Sequence, residues 1–458
     1  MRAMPSPVPV VDRTRIAELT ERERQAFAAA RPRSKALHDD AGDSLLGGVP
    51  MNWMNRWPGP FPVFVAEAHG ATIIDVDGHT YVDFCLGDTG AMCGHSPAPT
   101  VAAITRQATR GITTMLPTED AGWVGTELSR RFGLPLWQIA MSATDANRFA
   151  LRFARQITGR PKVLVFNGCY HGTVDETFAV LADDGSVVAR PGSVGPQVDP
   201  SVTTDVIEFN DLTALERVLA TGEVACVLAE PALTNIGIVL PDPGYHDALR
   251  RITRDTATLL IIDETHTLCA GPGGYTAAHG LEPDMLTLGK PIAGGVPAAA
   301  FGFTHEVAAA ITGPITESAD ADVSGVGGTL SGNALALAAI RATLGEVLTD
   351  DAYTSMIPLA GRWTEGVAGV IDEHDLPWTV QQLGCRAEYW FCPPPRDGGQ
   401  AGAAIDHELD ALMHLYALNR GVLLTPFHNM ALMSPVTTAD DVDRHTAVFA
   451  DAVAELLA

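Results

Sequence analysis

The chain has 458 residues, 46% of them hydrophobic, and a formal net charge of −25. That length can bury a large core and form two or three lobes, and the composition is that of a globular protein, not a disordered one. The acidic balance argues against binding nucleic acid or an anionic membrane, since both need a basic footprint.

Seven cysteines (Cys85, Cys93, Cys169, Cys226, Cys269, Cys385, Cys392) are scattered, odd in number and form no CxxC pair. Buried thiols in a reducing cytoplasm are the expected reading. The histidines show no metal-ligand spacing, so no metal is expected. The opening MRAMPSPVPVVDRTR lacks the apolar core of a secretory signal, and no run approaches the length of a membrane span. A cytoplasmic protein is expected.

Met1–Val11 is Pro-rich and predicted to be loose. Asp12 or Thr14 caps a predicted helix over Arg15–Ala30, with Ile16, Leu19 and Phe27 as its apolar positions. Ser34–Pro62 is turn-rich yet crowded with Trp and Met, and reads as a packed arm or a pocket wall. Val63–Glu67 and Ala71–Val76 alternate as strands, Asp77-Gly78 marks a tight turn, and Tyr81–Phe84 continues the lead-in. The loop Leu86–His95 follows. Pro97–Arg110 and Glu119–Phe132 have helical periodicity.

Trp137–Met141 is a short strand that runs through Ser142-Ala143-Thr144-Asp145 into a predicted helix, Ala146–Thr158. Such a turn presents free backbone N–H groups and the positive end of a helix dipole to an anion, although any Ser/Thr/Asp cap looks the same. Strand Val163–Phe166 ends in Asn167-Gly168-Cys169-Tyr170-His171-Gly172. Leu181–Pro200 reads as a surface loop, Val206–Asn210 as the end of a strand and Asp211–Thr221 as a short helix. Val224–Ala229 is a buried strand ending in Glu230-Pro231, and Gly244–Thr256 a crossover helix. Repeated strand–helix–strand units predict an α/β fold. Its central sheet is mostly parallel, helices cover both faces, and ligands sit at the strands' carboxyl ends.

Residues 257–302 carry the chemistry. A buried strand, Leu259–Ile262, ends in Asp263-Glu264, and a second, Met285–Leu288, ends in Gly289-Lys290-Pro291. A third apolar run, Ala298–Phe301, follows. Carboxylates and an amine at the ends of buried strands are expensive unless they meet a ligand or each other. Lys290 is one of three lysines, with Lys35 and Lys162, and its neighbours are apolar or glycine. A buried Lys–Asp pair, or a lysine snorkelling to the surface, would explain it. So would a desolvated lysine of lowered pKa that forms a Schiff base with a carbonyl. Pyridoxal phosphate chemistry needs such a lysine, together with an acid that keeps the pyridine nitrogen protonated.

Farther on, Ser324–Ala334 is a Gly-rich turn before a predicted helix, Ala334–Leu348, and offers a second possible anion site. From Asp350 the pattern changes to a helix (Ala352–Glu373), strands around Trp378–Gln382 and Ala387–Phe391, and helices over Ala404–Asn419 and Ala439–Leu457. This predicts a smaller α+β C-terminal lobe. Expected boundaries are residues 1–90 for an N-terminal arm and lead-in strands, 91–335 for a large cofactor domain, and 336–458 for the small domain.

The motifs DVDGHTYVDF, SATDA, YHG, Asp263 with Lys290, and GTLSGNA occur in that order, and with them the chain resembles the pyridoxal-phosphate enzymes of fold type I. It is most similar to class III aminotransferases of the branch holding glutamate-1-semialdehyde 2,1-aminomutases and β-amino-acid aminotransferases. The resemblance runs from about Gly47 to the C-terminus. It implies pyridoxal 5′-phosphate as cofactor, joined to Lys290, with Asp263 at the ring nitrogen. Ala143 and Thr144 would contact the phosphate, with Ala143 in place of the family's Gly and Asp145 in place of its Glu. Tyr170, which read alone is as much a core residue, would stack on the ring, and Thr265 would lie against its face, with His266 adjacent. Glu230 would buttress the site. His171 is expected to be a structural hydrogen-bonder. Gly328 and Thr329 would reach the phosphate of the neighbouring subunit, which implies a homodimer with shared active sites.

For the substrate, the resemblance points to Arg56 or Arg386 as carboxylate anchor; surface pairing is the alternative for Arg386. Asp88 stands where the aminomutases carry tryptophan, and His428 where they carry glutamate. Asp88 would receive a cationic or hydroxyl group, or else it is a solvated or capping acid. Trp57, Trp53, Met51, Met54, Met92 and Met430 would line an apolar pocket suited to an aromatic or bulky amine, or a β-amino acid. The activity expected first is ping-pong transfer of an amino group from an amine or amino acid to a keto acid or ketone. The alternatives are a 2,1-aminomutase and, further off, a racemase, a decarboxylase or a catalytically silent homologue.

Overall fold

The computed structural model describes residues 11–195, 198–317 and 325–458. The loose start expected up to Val10, residues 196–197 of the expected surface loop, and Ser324 of the Gly-rich turn lie outside them. Chain contacts divide the protein into two units. One comprises Met1–Ser96, Thr354–Pro394 and Ala404–Ala458; the other comprises Pro97–Tyr353 and Pro395–Ala403. This differs from the three expected domains. The lead-in strands group with the C-terminal segments, and the larger unit runs past residue 335 to Tyr353.

The larger unit is built on a seven-stranded sheet. In chain order its strands are β1 (Leu136–Ala140), β2 (Lys162–Phe166), β3 (Thr204–Ile207), β4 (Val224–Ala229), β5 (Leu259–Asp263), β6 (Met285–Leu288) and β7 (Ala299–Phe303). Their spatial order is β1-β7-β6-β5-β4-β2-β3. Strands β3, β2, β4, β5 and β6 run parallel, whereas β7 is antiparallel to both β6 and β1. Strands β4 and β6 are buried at every position. Burial on both faces is why VACVLA and MLTL read as continuous apolar runs without alternation. Helix Ala143–Thr158 lays Phe149 and Phe153 against Phe301 and Phe303 of β7, with ring centroids 5.7 and 5.9 Å apart. Five parallel strands therefore deliver their carboxyl ends to one edge. Asn167, Glu230, Asp263 and Gly289-Lys290 all lie at or just beyond those ends.

The expected loop Leu181–Pro200 begins in a short antiparallel hairpin, Ala179–Leu181 with Val187–Ala189. Helix Ala334–Ala342 stops earlier than predicted and continues as a π turn, Thr343–Val347. A helix at His305–Glu317 was not anticipated.

The smaller unit holds a four-stranded sheet (Val65–His69, Thr72–Asp75, Thr80–Asp83, Val422–Leu423) and a three-stranded one (Thr379–Leu383, Arg386–Trp390, Met430–Leu432). Phe27, Phe61, Tyr81, Leu415, Leu418 and Leu423 form one of its cores. Asp12 caps the first helix, Arg13–Ala30, by accepting the Thr14 N–H. Pro32 then opens a second helix, Pro32–Ala41, inside a stretch expected to be turns. Proline at the first helical position fits because the missing N–H has no helix partner there. No helix among the described residues is long and apolar enough to cross a membrane.

Candidate active site

Asp263 closes β5 and is 4% exposed. Its Oδ2 accepts hydrogen bonds from His171 Nδ1 at 2.9 Å and Asn147 Nδ2 at 2.8 Å; its Oδ1 accepts the Thr265 N–H at 3.0 Å. Burial pushes the carboxyl pKa up, but the His171 bond and charge, with Thr265 and Asn147, outweigh it and hold the group below its ordinary value. For His171, burial lowers the pKa, while the charge of Cys169 and the Asp263 hydrogen bond reverse the sign and raise it. Both shifts favour the charged forms of the pair.

Asn147 is itself fixed. Its Nδ2 also donates to the His171 carbonyl at 3.1 Å, and its Oδ1 accepts from Thr287 Oγ1 at 2.6 Å. Sequence reasoning passed over Asn147. The available signal was a polar residue one helical turn after Ala143, on the face that helix buries.

Lys290 follows β6. Gly289 lets the strand end close on the next loop: a Cβ at Gly289 would lie 3.0 Å from Ala143 Cβ and 3.2 Å from its backbone N. Lys290 has φ +46, a left-handed conformation that costs an L residue about 1 kcal/mol or more and gathers at functional sites. Its Nζ lies 2.7 Å from His266 Nε2. Nearby, Thr265 Oγ1 is buried and makes no hydrogen bond among the described residues.

The small-residue turn is a helix start, as expected, but the helix begins at Ala143, three residues earlier than predicted. Ser142 caps it, accepting the Asp145 N–H and donating to Asp145 Oδ2 at 2.9 Å. Ala143 and Thr144 occupy the first helical positions, where N–H groups have no partner within the helix. Thr144 Oγ1 accepts the Thr173 N–H at 3.0 Å. Gly172 makes that approach possible: at φ +82, a Cβ there would fall 2.1 Å from Thr144 Oγ1. The Tyr170–Gly172 loop is thereby held against the helix start, with Tyr170 half-buried. Glu230, buried at the end of β4, accepts the Thr234 N–H at 3.1 Å and the Thr234 hydroxyl, and so ties its own loop. Gly328 and Thr329 are exposed on this unit.

The remaining candidates belong to the smaller unit. Arg56 ends the 3₁₀ turn Asn52–Arg56 and is exposed. Arg386 is fully buried and ion-paired with Glu388 at 2.9 Å; Glu388 also meets His428 Nδ1 at 3.3 Å. This corrects the surface pairing considered for Arg386: its pairing is internal, and Glu388 on the same strand face answers its charge. Trp57 packs against the Phe27 core, and Met92 and Met430 are fully buried. Met92 and Met430 are therefore core residues of this unit and not part of an exposed pocket wall, while Trp57 is half-buried. Met92 Sδ lies 3.8 Å from Cys385 Sγ. Trp53 meets Phe427 edge-on at 5.8 Å. Asp88 is half-buried at φ +51, between Leu86 at φ +45 and Thr89 at φ +80.

A family model described as aminotransferase class-III matches residues 53–453. A glutamate-1-semialdehyde 2,1-aminomutase of Desulfitobacterium hafniense is 33% identical over 422 residues, covering 90% of this chain and 95% of the relative. A solved glutamate-1-semialdehyde aminomutase from Pseudomonas aeruginosa PAO1 is 50% identical, with a TM-score of 0.96 over 97% of this chain and 99% of the other. A variant of it has also been solved in complex with PMP. A β-phenylalanine aminotransferase from Variovorax paradoxus superposes with a TM-score of 0.85 at 26% identity, over 96% of this chain and 97% of the other.

Proposed function

The chain belongs to the class III aminotransferases, and we propose that within this family it is a 2,1-aminomutase, moving an amino group between neighbouring carbons of one substrate molecule. The 50% identity to the Pseudomonas aminomutase over nearly the whole chain supports this reading. It reverses the order expected from the sequence, which put transfer between two molecules first. The enzyme's cofactor is pyridoxal 5′-phosphate.

The residues fit that group. A buried carboxylate, a lysine amine, a helix start and a buried Thr265 hydroxyl that makes no hydrogen bond among the described residues line the ends of β1, β5 and β6. The Ala143 and Thr144 N–H groups would hold the phosphate. Tyr170 and Thr265 would take the two ring faces. Glu230 would support the site through its own loop. When bound, the cofactor supplies an electron sink for the carbanion left when the substrate loses a proton.

The chain's own part is positioning and proton handling. Asp263, held ionised by three donors, would keep a proton on the ring nitrogen. Lys290 Nζ would take a proton from one substrate carbon as general base and deliver a proton to its neighbour as general acid. Gly328 and Thr329, exposed in one chain, would serve the phosphate of a second copy, making the homodimer the working unit. Arg56, exposed and without an ion pair among the described residues, is the carboxylate anchor of choice. A cytoplasmic location belongs to the same proposal.

A second reading, transfer between two molecules, is favoured by Asp88 and His428, which depart from the residues the aminomutases carry. Glutamate 1-semialdehyde separates the two. An aminomutase converts it to the isomeric amino ketone, with no other amine or carbonyl consumed. An aminotransferase releases at most one equivalent of carbonyl product per site and then stops until a second substrate is added.

A further inference from the structure

We propose that His266 is a positioning residue for Lys290, an uncharged acceptor that fixes the lysine amine for attack on a carbonyl. The proposal rests on reading Lys290 as the cofactor lysine. Its ground is the 2.7 Å contact between Lys290 Nζ and His266 Nε2.

The fold builds that contact. Strands β5 and β6 are parallel neighbours, with Asp263 opposite Thr287. His266 lies three residues beyond Asp263 and Lys290 three beyond Thr287, so both side chains leave the same edge of the sheet at the same level. The turn that carries His266 is pinned on both sides. Ahead of it, Asp263 Oδ1 holds the Thr265 N–H. Behind it, the fully buried Glu264 accepts from the Thr267 hydroxyl and from the Tyr275 and Thr276 N–H groups. The His266 carbonyl closes the 3₁₀ turn Thr267–Ala270 by accepting the Cys269 N–H at 3.3 Å. On the other side, Gly289 packs on Ala143, and Lys290 takes the left-handed backbone that aims its chain.

Charge decides why a histidine suits this position. A lysine is a nucleophile and a base only as the neutral amine. A carboxylate within hydrogen-bond reach would favour the ammonium instead. An imidazole nitrogen accepts an N–H without adding negative charge; with Nε2 as acceptor, Nδ1 carries the ring proton. In condensation with a carbonyl, the amine lone pair forms the new C–N bond. The carbonyl oxygen then leaves as water with the two amine protons. An amine with one N–H already fixed has fewer orientations to lose, and such orientation is a main source of rate.

The test follows covalent capture, not turnover. Cofactor is stripped from the full-length enzyme and pyridoxal 5′-phosphate is added back. Borohydride then quenches the reaction at intervals, and label at Lys290 is measured by mass spectrometry. H266L slows labelling about tenfold, the rate equivalent of one hydrogen bond. H266Q, which keeps an uncharged acceptor of similar reach, stays within about threefold of wild type. Both stripped variants melt as wild type does. Labelling of H266L at the wild-type rate overturns the proposal, and so does equal slowing in H266L and H266Q. Absence of label at Lys290 in the wild-type chain instead strikes the reading of Lys290, and the role of His266 falls with it.

Discussion

Asp263 is surrounded by donors rather than by water, and that environment sets its charge. Three hydrogen bonds from His171, Asn147 and Thr265 converge on one buried carboxylate. Asp263→Asn removes the charge while keeping the shape, and turnover is predicted to fall at least about a hundredfold, since proton donation and charge stabilisation in a buried site are each worth that much. His171→Leu leaves the acid without its counter-charge and should cost about 3 kcal/mol of stability, the usual cost of breaking a buried pair. The pair also gives a pH signature. The His171 pKa is pushed up to about 10 from an unfolded value near 6.5. Its contribution is therefore complete below about pH 6.5 and is lost as pH rises through about 10. Denaturant melts across that range should show stability declining with pH in wild type and flat in His171→Asn. The positions of Asp263 and Lys290 at strand ends could be read from the sequence because charged residues at the ends of buried runs are conspicuous. Asn147 could not. Its importance comes from contacts to residues 116 and 140 positions away, which no local pattern records.

At the scale of elements, the helix start at Ala143 joins the strand edge to the proposed phosphate site. Ser142→Ala removes the cap that satisfies the Asp145 N–H and should destabilise the protein by about 1 kcal/mol. Gly172→Ala is more damaging: it combines a positive φ with a clash against Thr144. Loss of cofactor retention in dialysis, with overall folding preserved by circular dichroism, is the expected outcome. The buried strands β2, β4, β5 and β6 were legible within a residue because their runs are apolar and bounded by turn residues. Helix Pro32–Ala41 was not, because PRSKALHDDA lacks a clear apolar face and buries only Ser34. Helix His305–Glu317 lay hidden in an Ala-rich stretch with no strong periodicity.

For the whole molecule, the two arginines divide a proposed binding role for Arg56 from the buried pairing of Arg386. Arg56→Ala should raise KM for a carboxylate-bearing substrate about tenfold, as loss of a charge-assisted bond does, with no change in melting temperature. Arg386→Met should lower stability by about 3 kcal/mol, because the buried Glu388 carboxylate loses its guanidinium partner. The α/β class and the motif order carried over from sequence to structure. The grouping of segments did not: the lead-in strands pair with Val422–Leu423, a contact spanning more than 300 positions that composition cannot foresee.

In the proposed reaction, Lys290 and Asp263 run pyridoxal phosphate chemistry that returns the amine to the same molecule. The most direct measurement is single-turnover absorbance of the purified enzyme mixed with glutamate 1-semialdehyde, with products analysed in parallel. An aminomutase shows a visible cofactor band that changes and then recovers, with the isomeric amino ketone as product and no other free carbonyl, and Lys290→Ala shows no such band. A band that converts once to the pyridoxamine form and stays there, with a carbonyl product released, would contradict the aminomutase reading in favour of transfer between molecules. An unchanged band in Lys290→Ala would contradict the site itself.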